Sequence, residues 1–229
     1  MTEEDDAKTS QTEDERRKSS SMSFLSEIRK RRKHGNVSLA PANVRTPFAA
    51  IPTIANIVGR HLKRRKDSIL VEIGYGDGRI LIGCCEILGC RGVGFEILSE
   101  ERQRALKHLE IAQRERKESA LPPLRCAFHL KSFYVEDGDD AAEKELATFL
   151  DWESVGCVVT YMTKRGLRKA LNQLKRRLPS GTTIVSSQYP ESTDTWMPGA
   201  VKTHDVEVET DKRDDGARVK WRIVEYTLP

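Results

Sequence analysis

The sequence predicts an α/β protein whose mainly parallel sheet is covered by helices on both faces and ends in an antiparallel hairpin. From residue 47 onward, short runs rich in β-branched residues alternate with longer helical segments, a pattern typical of parallel strands joined by right-handed crossovers. Near the C-terminus, two strand-like runs follow each other with no helix between them. The length of 229 residues suits one such domain with a tail.

The predicted elements follow one another in a regular order. Ile54, Ile57, Val58 and Leu62 fall on one face of a first helix. Five strands and three further helices follow, at 68–73, 91–97, 125–133, 155–161 and 182–188 for the strands and at 80–88, 100–117 and 165–178 for the helices. The terminal hairpin is predicted at 201–209 and 218–227, on either side of the polar stretch TDKRDDGA.

The first 46 residues differ from the rest in composition. Residues 1–21 are rich in acids, Ser and Thr and contain no aromatic residue, which is typical of a disordered segment. The basic run RKRRK follows at 29–33. We therefore expect an acidic-then-basic tail over 1–46 and a folded domain over 47–229. The basic run is either a solvated linker or a patch for nuclear targeting or nucleic-acid contact.

Several classes of protein are disfavoured by composition. No apolar run approaches the roughly 20 residues of a membrane-spanning helix, and the acidic N-terminus resembles neither a secretory signal nor a transit peptide. We therefore expect an intracellular, cytoplasmic protein, with a nuclear or mitochondrial location left open. The five cysteines show neither zinc spacing nor an even count, which favours reduced thiols in a core over a metal site or a catalytic cysteine. The oligomeric state is not indicated.

The stretch VEIGYGDGRI, residues 71–80, joins the first predicted strand to a helix. In an open parallel sheet the ligand binds beyond the carboxyl ends of the strands, where this turn lies. Gly74, Gly76 and Gly78 would let the backbone approach an extended cofactor closely. The spacing differs from the dinucleotide fingerprint G-x-G-x-x-G because the third glycine comes one residue early, and no G-K-[ST] follows to make a P-loop.

Carboxylates beside this loop favour a cationic or neutral cofactor over a pyrophosphate. Glu72 and Asp77 flank the glycines, and Glu96 ends the second strand 22 residues beyond Gly74, where Rossmann-type sheets place the acid that binds ribose. S-Adenosylmethionine has a positive amino group, a sulfonium centre and two ribose hydroxyls, so it suits these groups. The alternative is that Glu96 only caps a strand end and that the glycines only form a tight turn.

The same residues resemble a known family. Segment 51–96, with IPT, VEIGYGDGRI and GVGFE, resembles the seven-stranded, class I S-adenosylmethionine-dependent methyltransferases. The resemblance is to the small archaeal and mitochondrial protein-lysine methyltransferases, which include the enzymes acting on adenine nucleotide translocase and on the ATP synthase c-subunit. Segment 158–196 is similar to the family's fourth strand, next helix, fifth strand and Trp-containing loop. The resemblance covers 47–229 and implies a Rossmann-like, seven-stranded sheet.

The resemblance also implies roles for individual residues. Glu96 would accept the ribose hydroxyls, and the first cofactor motif would consist of Glu72, Gly74, Gly76, Asp77, Gly78 and Arg79. Tyr75 stands where a small residue is usual, so its ring must turn outward or lie over the pocket. Ser132 stands where relatives usually carry an acid near the adenine. We count Tyr75 and Ser132 among the candidate cofactor-binding residues.

Tyr161, at the end of the fourth predicted strand, is the candidate catalytic residue. Methyl transfer to lysine mainly requires that a neutral amine be aligned with the methyl group. The Tyr161 ring could line a lysine channel while its hydroxyl orients the amine; equally, it could pack under the next helix. Trp196 could wall the acceptor pocket, although a Trp near a strand end more often packs in a core.

Three hypotheses follow for the function. The leading one is a protein-lysine methyltransferase that uses S-adenosylmethionine, no metal and a protein substrate. The second is a methyltransferase acting on nucleic acid or a small molecule. The basic clusters 63–66 and 175–177 permit a nucleic-acid partner without requiring one, because cations at helix C-termini also complement the helix dipole from a solvated face. The third is a binding module without turnover, which the intact acid-and-glycine loop disfavours.

Overall fold

The computed structural model describes residues 45–62, 67–136, 138–162, 164–188, 200–209 and 218–228. Within these ranges, seven strands form one sheet in the order β3-β2-β1-β4-β5-β7-β6. Strands β1 to β5 are parallel, and β7 runs antiparallel to both β5 and β6. Their bounds are Ile69–Ile73, Arg91–Glu96, Arg125–Leu130, Val155–Thr160, Thr183–Gln188, Ala200–Glu209 and Arg218–Thr227 for β1 to β7. The predicted fold class is confirmed.

Five helices cover the two faces of the sheet. They are α1 (Ile51–Leu62), α2 (Arg79–Leu88), α3 (Ser99–Glu118), α4 (Asp140–Phe149) and α5 (Lys164–Arg177). Helices α1, α2 and α3 share one apolar core with alternate strand residues such as Leu70, whereas α4 and α5 share a second core with residues such as Val71. Because successive strand side chains point to opposite faces, β1 contributes to both cores.

Helix α4 was not predicted from the sequence. It begins after Asp139, whose carboxylate accepts a hydrogen bond from the Ala142 N–H at 3.0 Å, a typical N-cap. Leu146 is its only fully buried residue, so the helix shows little of the apolar periodicity by which a helix is recognised. The Asp139 cap was the one clear signal.

Arg177 corrects the expectation that the cluster 175–177 forms a solvated face. Lys175 and Arg176 are exposed, but the Arg177 side chain is only 6% exposed. Its guanidinium donates two hydrogen bonds to Glu143 of α4, both at 2.5 Å, and lies 5.1 Å from the centre of the Phe133 ring. This arginine therefore joins the end of α5 to α4.

Some of the sequence predictions lie outside the described residues. These are the tail up to residue 44, the basic cluster 63–66, Trp196 and the hairpin loop 210–217. In the described part of the chain, no helix is long and apolar enough to cross a bilayer.

Candidate cofactor site

The glycine loop lies at the carboxyl ends of β1 and β2. Gly74 follows β1, and its N–H donates a hydrogen bond to the carbonyl of Phe95 in β2 at 2.8 Å. The φ angles of Gly74, Gly76 and Gly78 are +69°, +54° and +73°, a left-handed conformation that glycine adopts without strain. The left-handed backbone therefore explains why all three positions are glycine.

Gly76 and Gly78 differ in what surrounds them. A Cβ atom on Gly78 would lie 2.8 Å from the Phe128 ring and 2.9 Å from Cβ of Ala105, so this glycine permits tight packing of the loop in the core. A Cβ atom on Gly76 would have the Glu101 carboxylate, at 4.0 Å, as its nearest neighbour. Gly76 is thus the loop residue that borders open space, where a ligand could approach the backbone.

The carboxylate of Glu96 connects the end of β2 to the glycine loop. Its Oε2 accepts a hydrogen bond from the Gly76 N–H at 3.1 Å, and its Oε1 accepts from the N–H groups of Ile97 and Leu98 at 2.8 and 3.2 Å. A carboxylate has about four acceptor positions, so these bonds leave one on Oε2. Glu96 is half-buried, and the three bonds hold its carboxylate in place.

Asp77 and Arg79, both predicted in the cofactor motif, form a buried ion pair. The Asp77 carboxylate accepts from Arg79 Nη2 at 2.6 Å and from Nε at 2.8 Å. Burial alone would raise the pKa of Asp77, but the guanidinium groups of Arg79 and Arg45 hold that pKa well below its ordinary value. The pair therefore supports the loop from within the domain.

The same ion pair holds the segment that precedes α1. Arg79 Nη1 donates to the carbonyl of Thr46 at 3.1 Å, and Arg45 bridges Asp77 at 2.8 Å and Glu101 at 3.2 Å. Arg79 also lies 4.3 Å from the centre of the Phe48 ring. Arg45 and Thr46, which the sequence analysis assigns to the tail, are thus packed against the folded domain.

Glu72 points toward helix α2 and is only 1% exposed. Its Oε2 accepts a hydrogen bond from the Leu81 N–H, in the first turn of α2, at 3.0 Å. Burial raises the pKa of Glu72 well above its ordinary value. In this geometry Glu72 secures the start of the helix that follows the glycine loop.

The ring of Tyr75 turns into the core and is only 3% exposed, so the predicted outward orientation is wrong. It lies 4.8 Å from the Phe128 ring, centre to centre, and its hydroxyl donates to the carbonyl of His129 at 3.4 Å. A Cβ atom on Gly94 would lie 2.6 Å from Cδ1 of Tyr75, so the ring covers a glycine of β2. In the sequence, Gly94 within GVGFE indicated that β2 leaves space at this position for a large side chain such as Tyr75.

Ser132 forms a local turn beside the end of β2. Its hydroxyl donates to the carbonyl of Tyr134 and accepts from the N–H of the same residue, both at 3.0 Å. The preceding Lys131 N–H donates to the carbonyl of Glu96 at 2.9 Å. Ser132 therefore lies on the chain segment that borders Glu96.

Met162 and Tyr134 were not predicted as site residues, yet they adjoin the loop. A Cβ atom on Gly74 would lie 3.2 Å from Cε of Met162. The Tyr134 hydroxyl lies 3.5 Å from the Met162 sulfur and donates to the carbonyl of Gly166 at 2.9 Å. The position of Met162 two residues after the end of β4 was the signal for it, because β4 is the strand that pairs with β1.

Tyr161 packs near the ends of the sheet's central strands. It is half-buried, and its ring centre lies 5.7 Å from that of Trp221 in β7. Trp221 Nε1 donates to the Ser187 hydroxyl at 2.6 Å, and the Thr46 hydroxyl contacts the same oxygen at 3.3 Å. These four side chains lie together near the carboxyl ends of β4 and β5, and Tyr161 and Trp221 belong to the core on the α1 side of the sheet.

A metal site needs several ligating side chains close together. Across the residues that the structure describes, no three His, Cys, Asp or Glu side chains are grouped so that they could hold a metal ion.

Comparison with known proteins shows similarity in structure. No protein-family model and no curated protein matches the sequence. An RNA methyltransferase from Salinibacter ruber, in complex with S-adenosyl-L-homocysteine, is 20% identical with a TM-score of 0.51, covering 81% of this chain and 94% of that one. The rRNA methyltransferase aviRa from Streptomyces viridochromogenes is 14% identical with a TM-score of 0.54, covering 82% and 88%.

An O-methyltransferase from Bacillus cereus, in complex with SAH, is 13% identical with a TM-score of 0.53, covering 90% of this chain and 91% of that one. These similarities, together with the strand order, show that the chain has the class I, Rossmann-like S-adenosylmethionine-dependent methyltransferase fold. The protein-lysine family that the motifs resemble stays a prediction.

Proposed function

We propose that the protein is an S-adenosylmethionine-dependent methyltransferase that modifies a lysine side chain of a protein. The cofactor part rests on one observation. The hydrogen bond of 3.1 Å between Gly76 N–H and Glu96 Oε2 holds a glycine loop and an acid side by side at the carboxyl ends of adjacent parallel strands. Ligands of open α/β sheets bind in this place.

The residues present fit this cofactor. Glu96 keeps one acceptor position for a ribose hydroxyl, and Gly76 leaves its backbone open to approach. Ile97 and Leu98 follow Glu96 and are 67% and 51% exposed, so a base lying over them would bury apolar surface. The bound cofactor supplies a methyl group activated by a sulfonium centre.

The acceptor part rests on the motif resemblance and on the position of Tyr161. The Thr160 hydroxyl donates to the carbonyl of Ile73 at 3.1 Å, which ties the end of β4 to the end of β1, where the glycine loop begins. Tyr161 is the next residue and is half-buried. In the proposed role its ring excludes water from the acceptor amine, which must arrive neutral because an ammonium has no lone pair to donate.

RNA is the second candidate acceptor. Two of the solved structures with this fold are described as an RNA and an rRNA methyltransferase. An experiment that identifies the methylated product distinguishes lysine from RNA as the acceptor.

Calorimetry tests the cofactor assignment directly. We expect S-adenosylmethionine and S-adenosylhomocysteine to bind and NAD to give no measurable heat, because the glycine spacing and the flanking acids disfavour a pyrophosphate. An affinity for NAD comparable to that for S-adenosylhomocysteine would contradict the assignment.

Labelling identifies the acceptor. The protein is incubated with methyl-labelled cofactor and a heat-treated cell lysate, and a Gly76→Val variant serves as the control without cofactor binding. We expect label in a protein band that resists nuclease and yields methyl-lysine on acid hydrolysis. If nuclease removes the label, the acceptor is RNA rather than lysine, and the cofactor assignment is unaffected.

A further inference from the structure

A second group of reactive side chains lies at the amino ends of the strands, opposite the glycine loop. A cavity of about 370 Å³ opens there, lined in part by Cys90, Arg91, Arg125 and Leu88. Arg91 and Arg125 begin β2 and β3 and are paired in register, so two guanidinium groups border one cavity. None of these residues belongs to the cofactor site.

The turn after α2 places two thiols together. Gly89, with a φ angle of +64°, ends the helix, and its N–H donates to the carbonyl of Cys85 at 2.9 Å. The chain then reverses so that the sulfur of Cys90 lies 3.7 Å from that of Cys85. All five cysteines of the protein are free thiols in the structure, and Cys85 is fully buried.

The two thiols have different chemical environments. The hydrogen bond between Cys90 and Cys85 lowers the pKa of Cys90 despite the opposing effect of burial, and the nearby Arg125 guanidinium lowers it further. Hydrogen bonds with Cys126 and Cys90, together with burial, raise the pKa of Cys85 well above its ordinary value. Cys90, half-buried at the cavity, is thus the more nucleophilic thiol, and Cys85 stays protonated beside it.

We propose that Cys90 and Cys85 form an oxidant-sensitive pair, in which hydrogen peroxide entering the cavity oxidises Cys90 and Cys85 closes a disulfide with it. In the first step the Cys90 thiolate attacks one peroxide oxygen; the O–O bond breaks, hydroxide leaves, and the sulfur becomes a sulfenic acid. In the second step the Cys85 sulfur attacks the Cys90 sulfur. The S–O bond breaks, and the hydroxyl group leaves with the Cys85 proton as water.

The sequence between the two cysteines makes the product easy to identify. Glu86 separates Cys85 from Cys90, so cleavage after this glutamate leaves two peptides that stay joined only by a disulfide between them. Reduced full-length protein is treated with a few molar equivalents of hydrogen peroxide, alkylated and digested. We expect the intact protein to lose two hydrogen atoms, three of its five cysteines to remain alkylatable, and the two peptides to be linked through Cys85 and Cys90.

Single substitutions separate the two steps. In Cys85→Ser the reaction should stop at the Cys90 sulfenic acid, which dimedone traps, and in Cys90→Ser neither dimedone adduct nor linked peptides should form. Cys84→Ser, at the neighbouring buried thiol, is the matched control and should still form the disulfide. In the wild-type protein, Cys90 should react at least about tenfold faster than the other thiols.

Two results would overturn the proposal. One is a disulfide of Cys85 with Cys126, the other thiol within hydrogen-bonding reach, in place of Cys90. The other is a wild-type protein whose five thiols are lost at similar rates, with no linked peptides. Both are read from the wild-type protein, so they stand even if a variant does not fold.

Discussion

Glu96 offers a direct test of the site at the scale of one residue. Because its carboxylate positions the glycine loop and keeps one acceptor free, Glu96→Ala should weaken binding of S-adenosylhomocysteine by about 1.5 to 3 kcal/mol. Calorimetry measures this change. The N–H groups of the exposed Ile97 and Leu98 can turn to water, and the half-buried Gly76 N–H loses one hydrogen bond, so the melting temperature should change little.

Two matched variants sharpen this prediction. Glu96→Gln keeps one oxygen acceptor, so its affinity for S-adenosylhomocysteine should lie between those of the wild type and Glu96→Ala. Glu100→Ala removes an exposed acid four residues on and should bind normally. Normal affinity of folded Glu96→Ala, combined with a large drop in melting temperature, would show that Glu96 is only a structural cap.

Gly76 can be compared with a glycine far from the site. Gly76 and Gly181 both have positive φ angles, +54° and +82°, and a Cβ atom would meet no close neighbour at either position. Alanine at either site should cost roughly 1 to 2 kcal/mol of unfolding free energy for the left-handed backbone. Only Gly76→Ala should also reduce cofactor affinity, which calorimetry would show; equal affinity in both folded variants would place the ligand elsewhere.

Glu86 predicts a pH dependence of stability. It is 1% exposed on α2, and among the residues that the structure describes, neither of its carboxylate oxygens has a hydrogen-bond partner. Burial raises the pKa of Glu86 to about 7, although Arg116 lowers it in part. A folded-state pKa above the unfolded value means that the stabilising contribution is complete below about pH 4.5 and is lost as the pH rises through about 7.

Glu86→Gln removes this titration. Relative to wild type, the variant should gain roughly 3 kcal/mol of unfolding free energy between about pH 4.5 and about pH 8, the size that a shift of this extent implies. Urea unfolding at the two pH values measures the gain, and Glu110→Gln, an exposed acid on α3, is the control. A pH dependence identical to that of wild type would mean that water or a counterion reaches the carboxylate.

The motif residues show what a sequence predicts at this scale. Three glycines predicted the loop because its left-handed backbone requires this residue type, and the acid 22 residues after Gly74 contacts that loop. Asp77 and Arg79 belonged to the same motif, yet they pair with each other inside the domain. Their orientation depends on Arg45 and Thr46, distant in sequence, so the motif alone could not predict it.

At the scale of elements, residues 45–50, which precede α1 and which we call the strap, pack against the glycine loop. Arg45 bridges Asp77 in the loop and Glu101 in α3, and its side chain is only 15% exposed. Arg45→Ala should lower the unfolding free energy by about 1 to 3 kcal/mol, because a buried acid loses a charged partner, and should weaken cofactor binding. Thermal unfolding with and without S-adenosylhomocysteine measures both effects.

Arg104 provides the matched control for the strap. It pairs with the same Glu101 but has a side chain that is 39% exposed and belongs to α3 itself. Arg104→Ala should therefore change stability by less than about 1 kcal/mol and leave cofactor affinity unchanged. Equal effects of the two substitutions would indicate that Glu101, rather than the strap, supports the loop.

The strands were predictable to within a few residues, whereas the contacts between elements were not. Buried parallel strands carry continuous apolar runs bounded by turn residues, so β1 and β5 stand out in the sequence. Helix α4 buries one residue fully and is fixed by Arg177 from α5, a long-range contact with no local signal. Tyr75 was misplaced for the same reason, because its space is made by Gly94 in another strand.

At the scale of the whole molecule, the sheet separates the glycine loop from the thiol pair. The glycine loop lies at the carboxyl ends of the parallel strands, next to the pair β1 and β4 at which the strand order reverses. The thiol pair lies at the amino ends, at the other end of α2. Strand order determines this separation. The alternating pattern predicts a ligand site at the carboxyl ends, but it carries no signal that Cys85 and Cys90 meet.

Truncation of the tail tests how the whole chain captures its acceptor. The contacts of Arg45 and Thr46 mean that the cut must fall before Arg45, so residues 1–44 are removed. Melting temperature and cofactor affinity should be unchanged, because every described contact of the glycine loop is retained. Labelling of the acceptor in lysate should be lost, on the hypothesis that the basic run 29–33 attracts an anionic surface of the substrate.

Removal of residues 1–21 alone is the matched control, since it deletes the acidic part and keeps the basic run. This shorter truncation should label the acceptor at least as well as the full chain. Because attraction between exposed charges is screened by ions, raising the salt concentration should reduce labelling by the full chain toward the level of the longer truncation. If the chain without residues 1–44 labels the same acceptor fully and without dependence on salt, the basic run has no part in capture and is a targeting signal or a linker.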